Sequence, residues 1–322
     1  MKKVIVILLS VCLLSGMLSA CGRDTRTAGS GKISVVATIF PIYDWLREII
    51  GNNTDGVELS MLLDNGVDLH SYQPNAKDLV RVSSCDLFVY VGGTSDQWVR
   101  DMLTSVQSDE TVIVNLLDAA GERAKEEELV EGMQPEAQEE EEAEYDEHVW
   151  LSLKTASALC GTLAEKLGET DPQNADVYRQ NAQTYTTKLN ALDGQYRAVV
   201  DSAAVKTLLF ADRFPFRYMA DDYGLSYFAA FAGCSAETEA SFKTILFLAG
   251  KTDKLNLHSI LQIESADGSV ARTVRENTKT KDQTILTMNS MQSLTSQDIN
   301  GGVTYLSVMT ENLETLRQAL QG

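Results

Sequence analysis

The chain has 322 residues, with 46 acidic and 27 basic side chains and a formal net charge of −19. This balance, without a basic stripe, argues against nucleic acid as a partner and suits a cation ligand. The residues that follow the polar N-terminal region are numerous enough for one large or two medium-sized domains.

The first 21 residues have the order of a secretory signal. Lys2 and Lys3 precede an apolar stretch at 4–18, and small residues then lead to Cys21. This segment resembles a bacterial lipobox, which implies cleavage before Cys21 and acylation of that residue. We therefore expect a signal peptide at 1–21, a flexible tether at 22–31, and a lipid anchor on the outer face of the cell membrane.

From Lys32 onward, strand-like and helical patterns alternate in two stretches of the chain. The predicted strands are 33–38, 57–63, 86–91 and 111–117 in the first stretch, and 206–211, 226–232, 259–263 and 284–288 in the second. Between the stretches lies an almost unbroken helical pattern. The sequence thus predicts an α/β fold with two lobes, each a mainly parallel four-stranded sheet flanked by helices, joined by one long helix. The expected boundaries are 32–170 for the N-terminal lobe, 171–204 for the linking helix and 205–322 for the C-terminal lobe.

An acidic segment at 122–147 interrupts the first lobe. Twelve acidic residues lie between Glu126 and Glu147. Like charges repel one another and supply little apolar surface, so most of this segment is expected to be a mobile loop. It is either a solvated linker or a segment that attracts cations, and it ends at His148.

Three cysteines lie beyond the signal segment, namely Cys85, Cys160 and Cys234. An odd number without CxxC spacing indicates neither a disulfide framework nor a zinc ribbon. Buried free thiols are therefore expected.

Several potential metal ligands follow predicted strands. Ligands of parallel sheets bind outside the carboxyl ends of the strands. His70, Asp212, Glu264 and Asn289 lie at such ends, and His148 lies at a helix start. His258 precedes its strand and is interpreted as a surface or capping residue. Imidazole together with carboxylate suits zinc, manganese or iron.

Four phrases carry a resemblance to a known family: VVATIFPIYDWLREI, VDLHSYQPNAKDLVRVSSCDLFVYVGG, DEHVWLSL and YMADDYGLSYFAAFAG. They resemble the solute-binding lipoproteins of zinc and manganese ABC importers, the cluster A-I type of periplasmic binding proteins. The resemblance covers roughly residue 33 to the C-terminus. It implies two α/β lobes joined by a long helix, with a metal held in the cleft between them.

Carried over by position, His70 and His148 match the first two ligands of the family. The position that usually holds the third ligand falls on Arg213, which has no available lone pair. Asp212 is the expected replacement, with Arg213 holding a carboxylate beside the metal.

The fourth ligand position falls on Asn289, whose amide oxygen adds no charge. Glu264 and Glu147 are expected to support the ligands from outside the coordination shell.

The resulting prediction is an extracytoplasmic, monomeric lipoprotein, not an enzyme, that captures Zn²⁺ and delivers it to an ABC permease. Binding should weaken at acid pH as the histidines take up protons. Manganese or iron in place of zinc is one alternative. An adhesin or sensor lipoprotein with a degenerate metal site is the other.

Overall fold

The computed structural model describes residues 31–53, 55–105, 111–134, 144–235 and 239–321. The expected signal peptide, its Cys21 lipidation site, nearly all of the tether and positions 135–143 of the acidic segment lie outside the described residues. Within the described ranges, no helix has both the length and the apolar character needed to cross a membrane.

The first sheet is fully parallel, with the order β2-β1-β3-β4. Its strands are β1 (Ile33–Ala37), β2 (Val57–Met61), β3 (Leu87–Tyr90) and β4 (Val112–Asn115). The helices of this lobe are α1 (Phe40–Ile50), α2 (Ala76–Ser83), α3 (Gln97–Ser105) and α4 (Leu116–Ala120). The central strand β3 is buried along its whole length, as expected for a parallel sheet covered on both faces.

The second sheet repeats this arrangement with the order β6-β5-β7-β8. Its strands are β5 (Thr207–Arg213), β6 (Ser226–Phe231), β7 (Ser259–Ile263) and β8 (Thr284–Met288). The helices of this lobe are α7 (Arg217–Tyr223), α8 (Phe242–Leu255), α9 (Ser269–Glu276), α10 (Ser296–Asn300) and α11 (Tyr305–Leu320). The predicted fold of two parallel four-stranded sheets flanked by helices is confirmed.

Two long helices, α5 (Leu153–Thr170) and α6 (Ala175–Ser202), pack along each other between the sheets. At 1.5 Å per residue, α6 is about 42 Å long. It contacts α1 of the N-terminal lobe and α11 of the C-terminal lobe. Asn181 Nδ2 donates to Ile49 O at 2.9 Å, and Tyr196 Oη donates to Met309 O at 2.6 Å. The long helix therefore joins both lobes.

Helix α6 begins four residues later than its pattern suggests. Asp171 accepts hydrogen bonds from Asn174 Nδ2 at 2.8 Å and from Tyr178 Oη at 2.6 Å, and this turn delays the first helical residue to Ala175. The exact domain boundaries given above remain predictions.

The lobes also touch directly. Trp150 Nε1 donates to Ser290 O at 2.9 Å, and Tyr305 Oη donates to Trp150 O at 2.6 Å. Both donors are buried. These bonds fix the segment that follows His148 against the C-terminal lobe.

Candidate metal centre

His70 lies in the loop between β2 and α2. A one-turn 3₁₀ helix at Leu69–Ser71 carries it, and the Asp68 carboxylate starts that turn by accepting from the His70 backbone N–H at 3.0 Å. The imidazole is nearly buried, and its Nδ1 lies 2.7 Å from Ser95 Oγ. Ser95 thereby occupies one ring nitrogen and leaves Nε2 directed toward the interior.

His148 is completely buried at the end of the acidic segment. Asp146 Oδ1 accepts from its backbone N–H at 2.9 Å and from its Nδ1 at 3.0 Å. A carboxylate only accepts hydrogen bonds, so it selects the tautomer with the proton on Nδ1 and the lone pair on Nε2. The short 3₁₀ helix Val149–Leu151 follows and is buried throughout, and its Trp150 ring lies 5.1 Å from the imidazole, centroid to centroid.

The Nε2 atoms of the two imidazoles face each other within hydrogen-bond distance. His70 Nε2 and His148 Nε2 are 3.2 Å apart. Two nitrogens that each bind a tetrahedral zinc at its usual bond length are about 3.3 Å apart. The spacing of the two rings therefore fits one shared metal ion.

Glu147 supports His70 from behind. Its Oε1 accepts from Ser95 N at 2.8 Å and from Thr94 Oγ1 at 3.3 Å, while Oε2 lies 3.6 Å from His70 Nδ1. Gly93 has a φ of 79°, and a Cβ there would lie 2.3 Å from Glu147 Oε1, so only glycine permits this approach. The predicted role of Glu147 outside the coordination shell stays a prediction that this contact supports.

The two imidazoles respond differently to protons. Burial, together with the charge of His148, lowers the pKa of His70 to about 3. Burial also opposes protonation of His148, but the charge of Asp146 and its hydrogen bond outweigh this and raise the pKa of that histidine. Proton competition for a bound metal would thus begin at His148.

In the C-terminal lobe, the side-chain oxygens of the predicted ligands accept hydrogen bonds from the backbone. Asp212 Oδ1 accepts from Arg213 N at 2.8 Å, and its Oδ2 accepts from Ile263 N at 3.1 Å. Asn289 Oδ1 accepts from Met291 N at 2.7 Å. These oxygens hold backbone turns, and ligation by Asp212 or Asn289 stays a prediction.

Glu264 is also engaged with backbone. It accepts from Ser290 N at 2.7 Å, from Ser290 Oγ at 2.9 Å and from Gln292 N at 3.3 Å. The carboxylate therefore shapes the loop after β8, which agrees with a supporting position beside the cleft.

Arg213 pairs with Asp68 across the cleft. Burial alone would raise the pKa of Asp68, but the Arg213 guanidinium outweighs it and lowers that pKa. The carboxylate that Arg213 holds is that of Asp68, on the loop that carries His70. A permanent cation consequently occupies part of the cleft.

Cys234 joins the histidines, which the sequence did not predict. Potential ligand atoms of His70, His148 and Cys234 all lie within 4.8 Å of one another. Among the described residues, these three side chains form a group whose spacing could hold a metal ion. Cys85 and Cys160 are buried free thiols, as expected, whereas Cys234 is only half-buried. Burial raises the pKa of the Cys234 thiol well above its usual range.

Comparison with known proteins agrees with this geometry. A family model described as the periplasmic component A of the zinc-uptake complex, ZnuA, matches residues 35–319. The chain belongs to this family. The family is one of metal-binding transport components and is not an enzyme family.

Curated relatives carry zinc-related names. The zinc-binding protein AdcA of Streptococcus pyogenes serotype M3 is 30% identical over 326 residues, which cover 98% of this chain and 61% of the relative. The chain thus spans less than two thirds of that protein's length. The high-affinity zinc uptake system protein ZnuA of Bacillus subtilis is 28% identical, with coverage of 97% of this chain and 96% of the relative.

Solved structures share the fold. The Zn(II)-bound ZnuA-like domain of Streptococcus pneumoniae AdcA has a TM-score of 0.71 and 26% identity, covering 91% of this chain and all of that domain. The metal-dependent lipoprotein YcdH of Bacillus subtilis has a TM-score of 0.73 and 26% identity, covering 90% of this chain and all of that chain.

Proposed function

We propose that this protein captures a zinc ion between its lobes, outside the cytoplasm, and delivers it to the permease of an ABC importer. The observation that carries the proposal is the pair of imidazole Nε2 atoms 3.2 Å apart, the spacing of two ligands on one zinc. Zinc is the cargo of the protein and has no catalytic role in this proposal.

The hydrogen bonds around the two histidines support capture of a metal ion. Ser95 and Asp146 occupy the two Nδ1 atoms, so both rings are oriented before the ion arrives. Metal-binding histidines commonly donate their second N–H to such a partner. A preorganised pair needs little reorganisation on binding, which favours capture from dilute solution.

The names of the relatives support zinc as the cargo. AdcA is named for zinc binding, ZnuA of Bacillus subtilis for zinc uptake, and one structural relative contains Zn(II). Imidazole donors suit zinc but also manganese(II) and iron(II), which remain the alternative cargoes.

The location follows from the N-terminal segment. The lipobox-like sequence before Cys21 supports a lipid-anchored, extracytoplasmic protein, and the AdcA relative of Streptococcus pneumoniae is named a zinc-binding lipoprotein. The acidic segment ends at His148 and would raise the local concentration of cations near the cleft, an effect that salt weakens. We expect a monomer that docks on its permease.

A zinc-dependent thermal shift tests the proposal. Zinc at a thousand times its Kd should stabilise the protein by about 4 kcal/mol. His148→Ala should abolish this stabilisation, whereas the matched variant His258→Ala should retain it, because His258 is exposed at the start of β7.

Two results would contradict the proposal. Stabilisation by zinc that survives in His148→Ala places the ion elsewhere. A wild-type protein that no divalent metal stabilises favours an adhesin or sensor with a degenerate site.

A further inference from the structure

We propose that Cys234 supplies the zinc ligand of the C-terminal lobe, with the side-chain oxygen of Gln292 beside it. This inference rests on the proposed zinc-capture function and adds to it the donor set His70, His148, Cys234 and Gln292. It replaces the carboxylate and amide expected at Asp212 and Asn289 with a thiolate and a different amide.

The position of Cys234 fits a tetrahedral ion. Its Sγ and a ring nitrogen of each histidine lie within 4.8 Å of one another. Sulfur and nitrogen ligands of one tetrahedral zinc are about 3.6 Å apart, given the usual bond lengths. Rotation of the Cys234 side chain or a loop shift of about 1 Å closes that difference.

The turn after β6 is built to approach His148. A Cβ at Gly233 would lie 2.9 Å from Phe214 O and 3.2 Å from two atoms of the His148 ring, so a larger residue would push the turn away. Glu127 Oε1 accepts from the Cys234 N–H at 2.9 Å, and Arg213 Nη1 donates to Ser235 O at 3.4 Å. Hydrogen bonds with Glu127 and Arg213, from two other parts of the chain, therefore hold the turn that carries Cys234, and Gly233 lets that turn lie close to His148.

Gln292 provides an independent indication of a ligand. Its side chain is 96% buried, since only 4% is exposed, and its Nε2 donates to Ser290 Oγ at 3.0 Å. Its Oε1 is buried without a hydrogen-bond partner among the described residues. The amide lies beside the His70 ring without forming a hydrogen bond of normal geometry, and there it favours a positive charge at the ring. A buried acceptor without a donor is costly, and a bound cation would satisfy it.

Asp212 and Asn289 are less suited to ligation. Both carboxylate oxygens of Asp212 accept backbone N–H groups, and so does the side-chain oxygen of Asn289. Turning either side chain toward the ion would leave buried donors unpaired. Gln292 Oε1 carries no such obligation. The Cys234 thiol has the Glu127 side chain and the Glu147 backbone as partners, but a thiol is a weak donor and a weak acceptor, so it loses less when it turns to the ion.

A thiolate ligand has a consequence for metal choice. Sulfur donors favour zinc over manganese, which prefers oxygen ligands. Zinc takes the sulfur as thiolate, so binding displaces the thiol proton to solvent and leaves a zinc–sulfur bond. Cys234 therefore accounts for selection of zinc by a site that has few charged oxygen ligands.

X-ray absorption at the zinc edge tests the inference on the full-length, zinc-loaded protein. The wild type should show one sulfur neighbour at about 2.3 Å together with nitrogen or oxygen neighbours at about 2.0–2.1 Å. Cys234→Ser should lose the sulfur neighbour and retain zinc. Cys85→Ala is the matched control and should keep it, because Cys85 lies in the N-terminal core.

Competition with a chelator gives the corresponding affinities. Cys234→Ser should weaken zinc binding by about a hundredfold or more, which exceeds the effect of losing a hydrogen bond outside the coordination shell. The Kd for manganese should change by less than about threefold, because manganese prefers oxygen ligands. Gln292→Leu should weaken zinc binding by about tenfold, and Asp212→Ala by less than Cys234→Ser.

A wild-type zinc shell without sulfur overturns the inference, and so does an Asp212→Ala variant weaker than Cys234→Ser. Either result leaves the proposed function intact, because zinc is still bound. A wild type that binds no zinc overturns both.

Discussion

The two halves of the cleft treat their polar side chains in opposite ways. In the N-terminal half, Ser95 and Asp146 each contact the Nδ1 of a histidine, and its Nε2 faces the Nε2 of the other ring. In the C-terminal half, the carboxylate oxygens of Asp212 and Glu264 accept hydrogen bonds from backbone N–H groups. A strand-end position therefore does not by itself leave the donor atoms of a side chain available to a metal. What matters is whether its neighbours release the donor atom or occupy it.

An ion pair connects His70's loop with the C-terminal half of the cleft. Arg213 at the end of β5 holds Asp68, whose other oxygen starts the turn that carries His70. The position that the family resemblance assigns to a third ligand thus carries a cation that pairs with the loop of His70.

Removal of His70 should have the largest effect on the N-terminal half. His70→Ala deletes one of two facing donors, so zinc affinity should fall by about a thousandfold, equivalent to about 4 kcal/mol. Competition with a fluorescent chelator measures it. If His70→Ala binds zinc as tightly as the wild type does, His70 is not a ligand of the ion.

Removal of the carboxylate behind His148 should have the next largest effect. Asp146→Asn no longer enforces the tautomer with a free Nε2, and such outer partners typically contribute 10- to 100-fold in metal affinity. Asp171→Asn serves as control, because Asp171 is similarly buried but binds Tyr178 far from the cleft. Equal losses in both variants would indicate a general loss of folding.

The ion pair across the cleft should give smaller effects of opposite sign. Arg213→Gln removes a cation from beside the ion and should raise zinc affinity by about tenfold. Asp68→Asn leaves Arg213 unpaired and should lower it by about tenfold. The same titration measures both. If both variants change the zinc affinity in the same direction, the ion pair acts by orienting the loop that carries His70, and its charges are unimportant.

The smallest effect on zinc binding is expected at Asp96, although it should alter stability. Burial raises the pKa of this carboxyl to about 7. Its Oδ2 accepts from Val91 N at 2.9 Å and from Gly92 N at 3.0 Å. Because the folded pKa lies above the unfolded value, the wild type loses stability as pH rises from about 4 to about 7.

Asp96→Asn keeps an acceptor for those donors and removes the charge. The variant should match the wild type below about pH 4 and exceed it by about 2 to 4 kcal/mol above pH 8. Urea unfolding at several pH values measures this difference. If the free energy of unfolding has the same pH dependence in both proteins, ionisation of Asp96 does not destabilise the folded state.

The fold was largely predictable because its signals are local. Runs of β-branched residues and helical periodicity placed all eight strands, and parallel pairing follows from their alternation with helices. The start of α6 was less predictable, since it depends on the side-chain bonds of Asp171.

The site was predictable in part. His70 and His148 lie within short phrases whose spacing identifies them, and the structure brings their rings together. Cys234 was missed although it follows a strand end as Asp212 does. An odd number of cysteines without CxxC spacing predicts buried free thiols, and the approach of Cys234 to His148 depends on long-range packing of the turn after β6. Sequence proximity to a strand end also suggested Asp212, whose oxygens only the structure shows to be engaged.

Anomalous diffraction at the zinc edge from zinc-loaded crystals tests the central claim most directly. We predict one strong peak between the lobes, about 2.0–2.1 Å from the Nε2 atoms of both His70 and His148. A peak among the carboxylates of the acidic segment, with none between the two imidazoles, would contradict the account.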